Sequence, residues 1–188
     1  RLNGADDRKK LADTPTLFRE LKNPKSYIIV PRHSSESRKY VPIGFLNDDY
    51  IPADSATIIP EATLYHFGVL TSNVHMAWLR SVCGRIKSDY RYSKDIVYNN
   101  FPWCNPTDEQ RSKIEQTAQA ILDARELYSE CSFADMYGEK MYMLPKLLQA
   151  HQANDKAVMQ AYGFWGKLNT ESECVAELMK MYQEITNR

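Results

Sequence analysis

The chain has 188 residues, of which 43% are hydrophobic, and its 24 basic residues balance 24 acidic ones. This composition excludes a largely disordered chain, and no apolar run approaches the ~20 residues of a membrane-spanning helix. The first ten residues are polar and charged, so we predict no signal peptide and a cytoplasmic protein without a membrane partner. Because the chain begins with Arg1 and not Met, we interpret it as a fragment of a larger protein.

The first ~70 residues predict short strands at close spacing, which favours a β-rich unit. A short helix is expected first, over 11–21, with Pro15 in its first turn. Apolar segments separated by prolines and by an Asp48–Asp49 turn then predict strands over 26–31, 38–46, 55–59 and 62–69.

The pattern changes after Thr71 and Ser72, which can cap a helix over 73–83. Gly84 follows where a left-handed C′ residue would end that helix. Residues 85–92 alternate, which predicts one extended strand with Arg85, Lys87, Asp89 and Arg91 on a charged face. We expect 96–101 to stay extended.

Residues after Pro106 predict helices. A capping box begins with Thr107 and opens a helix that runs to about residue 127. Further helices are expected over 146–151 after Pro145, over 155–162 after Asn154, and from Thr170 onward. The chain is therefore predicted to be α+β, with a β-rich domain carrying an inserted helix over 1–104 and a small helical domain over 105–188.

Charge changes sign at the same boundary, near Asn105. Residues 1–103 hold 15 Lys and Arg against 11 Asp and Glu, whereas residues 104–188 hold 9 against 13. The excess positive charge is concentrated in 80–94, where five basic residues accompany Asp89 alone. Such a strip favours a surface that faces a polyanion, although a solvated charged face would look the same.

The motifs of catalysis and cofactor binding are missing. The seven glycines include no G-x-G pair, and no N-P-P-aromatic loop of an amino-methyltransferase occurs. The four cysteines, Cys83, Cys104, Cys131 and Cys174, form no C-x-x-C pair, so we interpret them as lone thiols in a reducing compartment. We predict no catalytic, cofactor-binding or metal-ligating residues in this chain.

Asp89 and Arg91 are the candidate base-reading pair. They are two residues apart in an extended segment, so their side chains share a face. A carboxylate beside a guanidinium could contact both bases of a C·G pair, while Arg85 and Lys87 could reach phosphates. The other interpretation is an exposed, ion-paired strand, and these residues alone leave both open.

Several long motifs resemble one family. The resemblance is carried by 67–93 (FGVLTSNVHMAWLRSVCGRIKSDYRYS), 99–103 (NNFPW), 11–15 (LADTP), 27–32 (YIIVPR), 40–45 (YVPIGF), 150–155 (AHQAND) and 158–164 (VMQAYGF). Nearly the whole chain thus resembles the C-terminal part of large single-chain DNA adenine methyltransferases, which include the Mme-type (type IIL) restriction–modification enzymes.

The resemblance implies a division of labour. Residues 1–104 would be a target recognition domain, and 105–188 the family's small helical C-terminal domain. An upstream domain of the same chain would bind S-adenosylmethionine and methylate adenine in double-stranded DNA. Asp89 and Arg91 match the family's specificity pair. We expect basic side chains to anchor DNA phosphates: Arg32, Arg38, Lys39, Arg80, Arg85 and Lys87.

Two other functions remain open at this stage. The acidic helical tail could dock on the parent's catalytic domain while the basic strip pairs with an acidic protein. An RNA-binding domain is the second alternative, although no strand carries clustered aromatic residues. Salt-dependent, sequence-selective binding to duplex DNA would separate the three.

Overall fold

A three-stranded antiparallel sheet forms the first layer of the computed structural model, which describes residues 24–138 and 143–187. Its central strand is β1 (Ser26–Pro31), flanked by β3 (Gly44–Asn47) and β4 (Ala56–Pro60). The strands predicted over 26–31 and 55–59 and the Asp48–Asp49 turn are confirmed.

The strand predicted over 38–46 is mostly wrong, because only 44–47 pairs with β1. The preceding residues leave the sheet and are buried against the helices instead. Tyr40 stacks on His151 with 4.2 Å between ring centroids, and the Ile43 carbonyl accepts a 2.8 Å hydrogen bond from Arg125. These long-range contacts outweigh the local strand pattern.

The second sheet contains β2 (His33–Ser34), β5 (Gly84–Ile86) and β6 (Asp89–Arg91), in the order β2-β6-β5. The single strand predicted over 85–92 is wrong, since the segment folds back as a hairpin that turns at Lys87 and Ser88. Lys87 has a φ of 55°, the left-handed conformation that such a tight turn requires. Gly84 is not a left-handed cap; it opens β5.

Two helices follow the first sheet. α1 (Leu64–Leu70) replaces the strand predicted over 62–69, and the His66 imidazole accepts a 3.1 Å hydrogen bond from the Thr63 amide at its start. α2 (Asn73–Val82) is confirmed, with the Ser72 hydroxyl accepting from an amide of its first turn. The extended segment predicted over 96–101 is wrong.

In its place is a π-helical turn over Lys94–Tyr98. The buried Trp78 indole donates a 2.9 Å hydrogen bond to the Val97 carbonyl, which holds this turn against α2. Tertiary packing of Val97 and Trp78 therefore decides the conformation of a segment with no strong local signal.

The rest of the described chain is helical: α3 (Asp108–Glu126), α4 (Phe133–Met136), α5 (Pro145–Ala161) and α6 (Glu171–Thr186). The capping boxes at Thr107 and Thr170 are confirmed. The two helices predicted over 146–151 and 155–162 are one continuous helix, because Asn154 bonds to neighbouring elements instead of capping. The helix predicted over 11–21 lies outside the described residues.

One apolar core extends through both halves of the described chain. At its centre α1 crosses α3 closely at Gly68, where a Cβ would lie 2.6 Å from the Ile114 side chain. The Asn154 side chain donates to the Gly68 carbonyl over 2.7 Å and accepts from the Thr117 hydroxyl over 3.0 Å. The division into 1–104 and 105–188 stays a prediction, and the described parts of these two segments are tightly packed together.

Candidate nucleic-acid interface

The second sheet presents one exposed face. Residues paired across antiparallel strands point to the same side, and the register pairs Ile86 with Asp89, and Arg91 with both Gly84 and His33. Asp89, Arg91, Ile86 and His33 are all exposed. The second sheet therefore presents a carboxylate, a guanidinium and an apolar side chain from the hairpin, and an imidazole from β2, on one surface.

The opposite face anchors the hairpin to the molecule. Tyr90 lies between Asp89 and Arg91 in β6, and its side chain is only 3% exposed. Arg85 pairs with Tyr90, so the expectation that it shares a face with Asp89 and Arg91 is wrong. Its guanidinium lies 4.5 Å from the Tyr90 ring centroid, and it donates to the Ser88 carbonyl over 2.7 Å.

A basic cleft borders the exposed face. It has a volume of about 400 Å³, and Arg32, Arg91 and Lys94 line it together with Asp95. Gly84 forms part of its wall, where a Cβ would lie 3.9 Å from that of Arg91. Three cations around one carboxylate make this cleft suited to an anion or to a polar edge.

A backbone amide of the loop before Tyr40 contacts the acidic half of the candidate pair. The Glu36 amide donates to Asp89 Oδ1 over 3.3 Å, and the Glu36 side chain accepts from Arg85 over 3.4 Å. Both contacts are exposed to solvent. The loop before Tyr40 therefore sets the direction in which the Asp89 carboxylate points.

The remaining basic residues lie apart from this cleft. Arg38 donates to the Tyr137 carbonyl over 3.1 Å, and the Lys39 ammonium lies 5.6 Å from the Tyr40 ring centroid. Arg80 and Lys39 border a separate cavity of about 500 Å³ between α2 and the start of α6. Of the six residues predicted to anchor phosphates, Arg32 lies beside the exposed sheet face and Lys87 lies at the hairpin turn. The other four contact groups within the chain: Arg38, Lys39, Arg80 and Arg85.

A buried polar network joins the two halves of the chain, and the sequence reasoning missed it. Arg125 donates to the Tyr137 hydroxyl, which also contacts the His151 imidazole over 2.8 Å. Tyr40 stacks on His151 and donates to Asp155 over 2.6 Å. His151, Asn154 and Asp155 share one helix face, so their spacing was the available signal.

Burial shifts the titration of this network. Removal from water raises the pKa of Asp155 to about 6, although Tyr40 and the Asn73 amide donate to its carboxylate. Burial also holds the pKa of His151 well below its usual value, with the Arg125 charge adding to the effect. His75, whose Nε2 lies 3.1 Å from the Tyr92 hydroxyl, has its pKa lowered to about 3 by burial.

The described residues hold neither a cluster of metal-binding side chains nor a membrane-spanning helix. Over residues 24–138 and 143–187, no group of three or more His, Cys, Asp or Glu side chains could hold a metal ion. Over the same ranges, no helix has the length and apolar character needed to cross a membrane.

Fold and surface together define an α+β module. One face of its second sheet is charged and exposed, and the opposite face packs against the rest of the molecule. Two family profiles match the chain end to end. The profile described as "MmeI, target recognition domain" covers residues 1–105, and the one described as "MmeI, C-terminal domain" covers 106–188. The chain belongs to this family, as its motifs predicted.

Two relatives extend the comparison. "DNA methyltransferase A" of Bacillus subtilis (strain 168) is 37% identical over 180 residues, which are 95% of this chain and 20% of that protein. The structure of the type IIL restriction–modification enzyme MmeI in complex with DNA has 42% identity and a TM-score of 0.90, covering all of this chain and 25% of its own. The chain thus spans a fifth to a quarter of these relatives.

Proposed function

We propose that this chain is the DNA target-recognition segment of a longer methyltransferase, and that the exposed face of the second sheet reads base pairs. The observation that carries the proposal is the placement of Asp89 and Arg91 side by side on that face, with Tyr90 buried behind them. Membership of the MmeI target-recognition family and the DNA-bound relative support it.

The chemistry of the pair fits a C·G base pair. A carboxylate accepts a hydrogen bond from cytosine N4, and a guanidinium donates to guanine O6 and N7 in the major groove. The groove is wide enough to admit a two-stranded ribbon such as β5–β6. Asp89 and Arg91, two residues apart in β6, would then contact the two bases of one pair.

The surrounding cations would hold the DNA backbone. We assign phosphate contacts first to Arg32 and Lys87, which are exposed, and to Lys94 in the basic cleft. Arg38, Lys39, Arg80 and Arg85 were predicted for the same role. Arg38, Arg80 and Arg85 each donate to groups within the chain, and Lys39 lies against the Tyr40 ring, so they would reach phosphates only after leaving these positions. Each phosphate contact adds to the salt dependence of binding.

The transfer of a methyl group would take place elsewhere in the longer protein. S-adenosylmethionine would bind to a domain upstream of this segment, which would flip an adenine out of the duplex and methylate its exocyclic nitrogen. The relative named as a DNA methyltransferase supports this assignment. The present segment would select the DNA sequence that is presented to that domain. We propose that the protein acts in the cytoplasm.

The test is duplex-DNA binding by the full-length protein at two salt concentrations. We compare the wild type with Asp89→Ala/Arg91→Ala and with a control, Glu177→Ala/Lys180→Ala, which removes an exposed ion pair on α6. The first double variant should lose about 1–3 kcal/mol of discrimination at one base pair and keep the salt-dependent affinity. A wild-type preference that survives in this variant would contradict the proposal.

A further inference from the structure

We infer that Arg80, predicted from sequence as a phosphate contact, is a positioning residue that holds the reading strand in place. This inference rests on the function proposed above. Arg80 would hold the Tyr90 side chain in place, and Tyr90 would in turn set the direction of Asp89 and Arg91. Glu171 would connect Arg80 to the helical half of the chain.

The guanidinium of Arg80 bonds to three separate elements. Its Nε donates to the Tyr90 hydroxyl of β6 over 3.2 Å, and one terminal nitrogen donates to the Lys39 carbonyl over 3.1 Å. The other terminal nitrogen donates to Glu171, the first residue of α6, over 2.8 Å. The Arg80 side chain is only 19% exposed, so it lies beneath the hairpin and not on its outer face.

Tyr90 transmits this contact to the exposed face. Its hydroxyl accepts from Arg80 and donates to the Glu36 carbonyl over 3.4 Å. The Glu36 amide in turn donates to Asp89 Oδ1 over 3.3 Å. A shift of the Tyr90 ring would therefore move the neighbouring side chains of the reading pair and release the loop that orients one of them.

The hairpin needs such an anchor because its own pairing is short. β5 and β6 have three residues each, and β2 has two. A ribbon of this size is marginal without packing on one face. Reading groups that are displaced by about 1 Å lose much of their selectivity, so a rigid support behind Tyr90 matters more to discrimination than to affinity.

Arg80 meets a requirement that lysine cannot meet. Three acceptors in three directions match the planar fork of a guanidinium, whereas an ammonium at the end of a flexible stem would not hold all of them. A phosphate contact would instead tolerate lysine, because it needs mainly the charge. Arg80→Lys therefore separates the two roles.

The experiment uses the full-length protein and duplexes that differ at the base pair assigned to Asp89 and Arg91. The readout is the ratio of the two Kd values for Tyr90→Phe, Arg80→Lys and Glu171→Gln. The control is Glu177→Gln, which weakens another ion pair on the same helix, at 2.6 Å from Lys180. Glu171 is half exposed, so loss of its charge should leave the fold intact.

We expect the ratio to fall about threefold to tenfold in Tyr90→Phe and Arg80→Lys, and less in Glu171→Gln, with non-specific affinity kept. Amide hydrogen exchange over 89–91 should accelerate in the same order, which provides a readout without DNA. The Glu177→Gln control should match the wild type in both measurements.

Three results would overturn the inference. An equal loss of affinity on both duplexes, with the ratio kept, would show that Arg80 supports binding without positioning the base-reading pair. Unchanged ratios and unchanged exchange would make the arrangement irrelevant to reading. If Asp89→Ala/Arg91→Ala leaves the ratio unchanged, the proposed function itself is wrong. Because that variant retains Arg80, this failure is distinguished from a failure of the inference about Arg80.

Discussion

Two polar clusters of this molecule use similar residues and differ in burial. The hairpin face carries Asp89 and Arg91 in solvent, whereas the network around Arg125 and Asp155 is enclosed between the sheets and the helices. Enclosed groups must satisfy one another, because an unpaired buried polar atom is costly. Exposed groups keep hydrogen-bonding capacity for another molecule. The comparison teaches that burial, more than residue type, separates a polar cluster that stabilises the fold from one that is available to a binding partner.

The largest expected effect on stability comes from replacing Arg125 in the enclosed network. It donates to the Tyr137 hydroxyl and to the Ile43 carbonyl, both buried, and it packs beside the Phe67 ring. Arg125→Ala should lower the free energy of unfolding by roughly 2–4 kcal/mol, because the Ile43 carbonyl loses its Arg125 donor, the Tyr137 hydroxyl keeps only its His151 contact, and a cavity remains. Urea unfolding of the 188-residue chain measures it.

The matched control is Arg111→Ala. Arg111 is exposed and lies 4.2 Å from the Tyr65 ring centroid, so its loss should cost about 0.5–1 kcal/mol. Equal effects from the two arginine variants would contradict the distinction between buried and exposed clusters.

Alanine substitutions at two glycines compare a closely packed site with an open one. Gly68→Ala places a Cβ 2.6 Å from the Ile114 side chain and should destabilise the chain by about 1–3 kcal/mol. Gly84→Ala meets Arg91 at an ordinary 3.9 Å and should stay within about 0.5 kcal/mol of the wild type. Thermal unfolding of both variants measures the difference, and a Gly84→Ala variant less stable than Gly68→Ala would contradict the packing described.

Low pH should reduce the stability of the fold through the buried His75 side chain. The folded chain holds the pKa of His75 at about 3, below the ordinary value of 6.5, so the unfolded state binds the proton first as pH falls. The His75 contribution to stability is therefore complete above pH 6.5 and is lost progressively as pH falls from 6.5 towards 3.

Asp155 acts in the opposite direction. Its pKa of about 6 in the folded chain exceeds the ordinary 3.8, so its contribution is present below pH 3.8 and is lost as pH rises through 6. Urea unfolding from pH 3.5 to 7.5 should show a shallower acid loss in His75→Gln and a steeper one in Asp155→Asn. Identical pH profiles for the three chains would contradict the burial of these groups.

Local signals predicted the elements whose ends are fixed locally. The capping boxes at Thr107 and Thr170 and the serine cap of α2 each act within one turn, so they were visible in the sequence. The hairpin was missed because its two-residue turn, Lys87 and Ser88, lacks the glycine or asparagine that usually marks such a turn. One apparent strand therefore became two, and Arg85 moved to the other face.

Long-range contacts account for the other differences. Tyr40 and Asp155 are 115 residues apart, and no local pattern predicts that they bond. Tyr40 and its neighbours leave the predicted strand for this contact. Asp89 and Arg91 were selected from sequence because their spacing alone places them on one face, and their role as base readers stays a prediction.

The central claim is that the exposed hairpin face reads DNA sequence. Its most direct test is a single-base methylation profile of a randomised duplex library, made with the full-length protein. We expect the wild type to methylate adenine in one sequence context, and Asp89→Ala/Arg91→Ala to lose the preference at one base pair while keeping it at the others. An unchanged context in the double variant would contradict the claim.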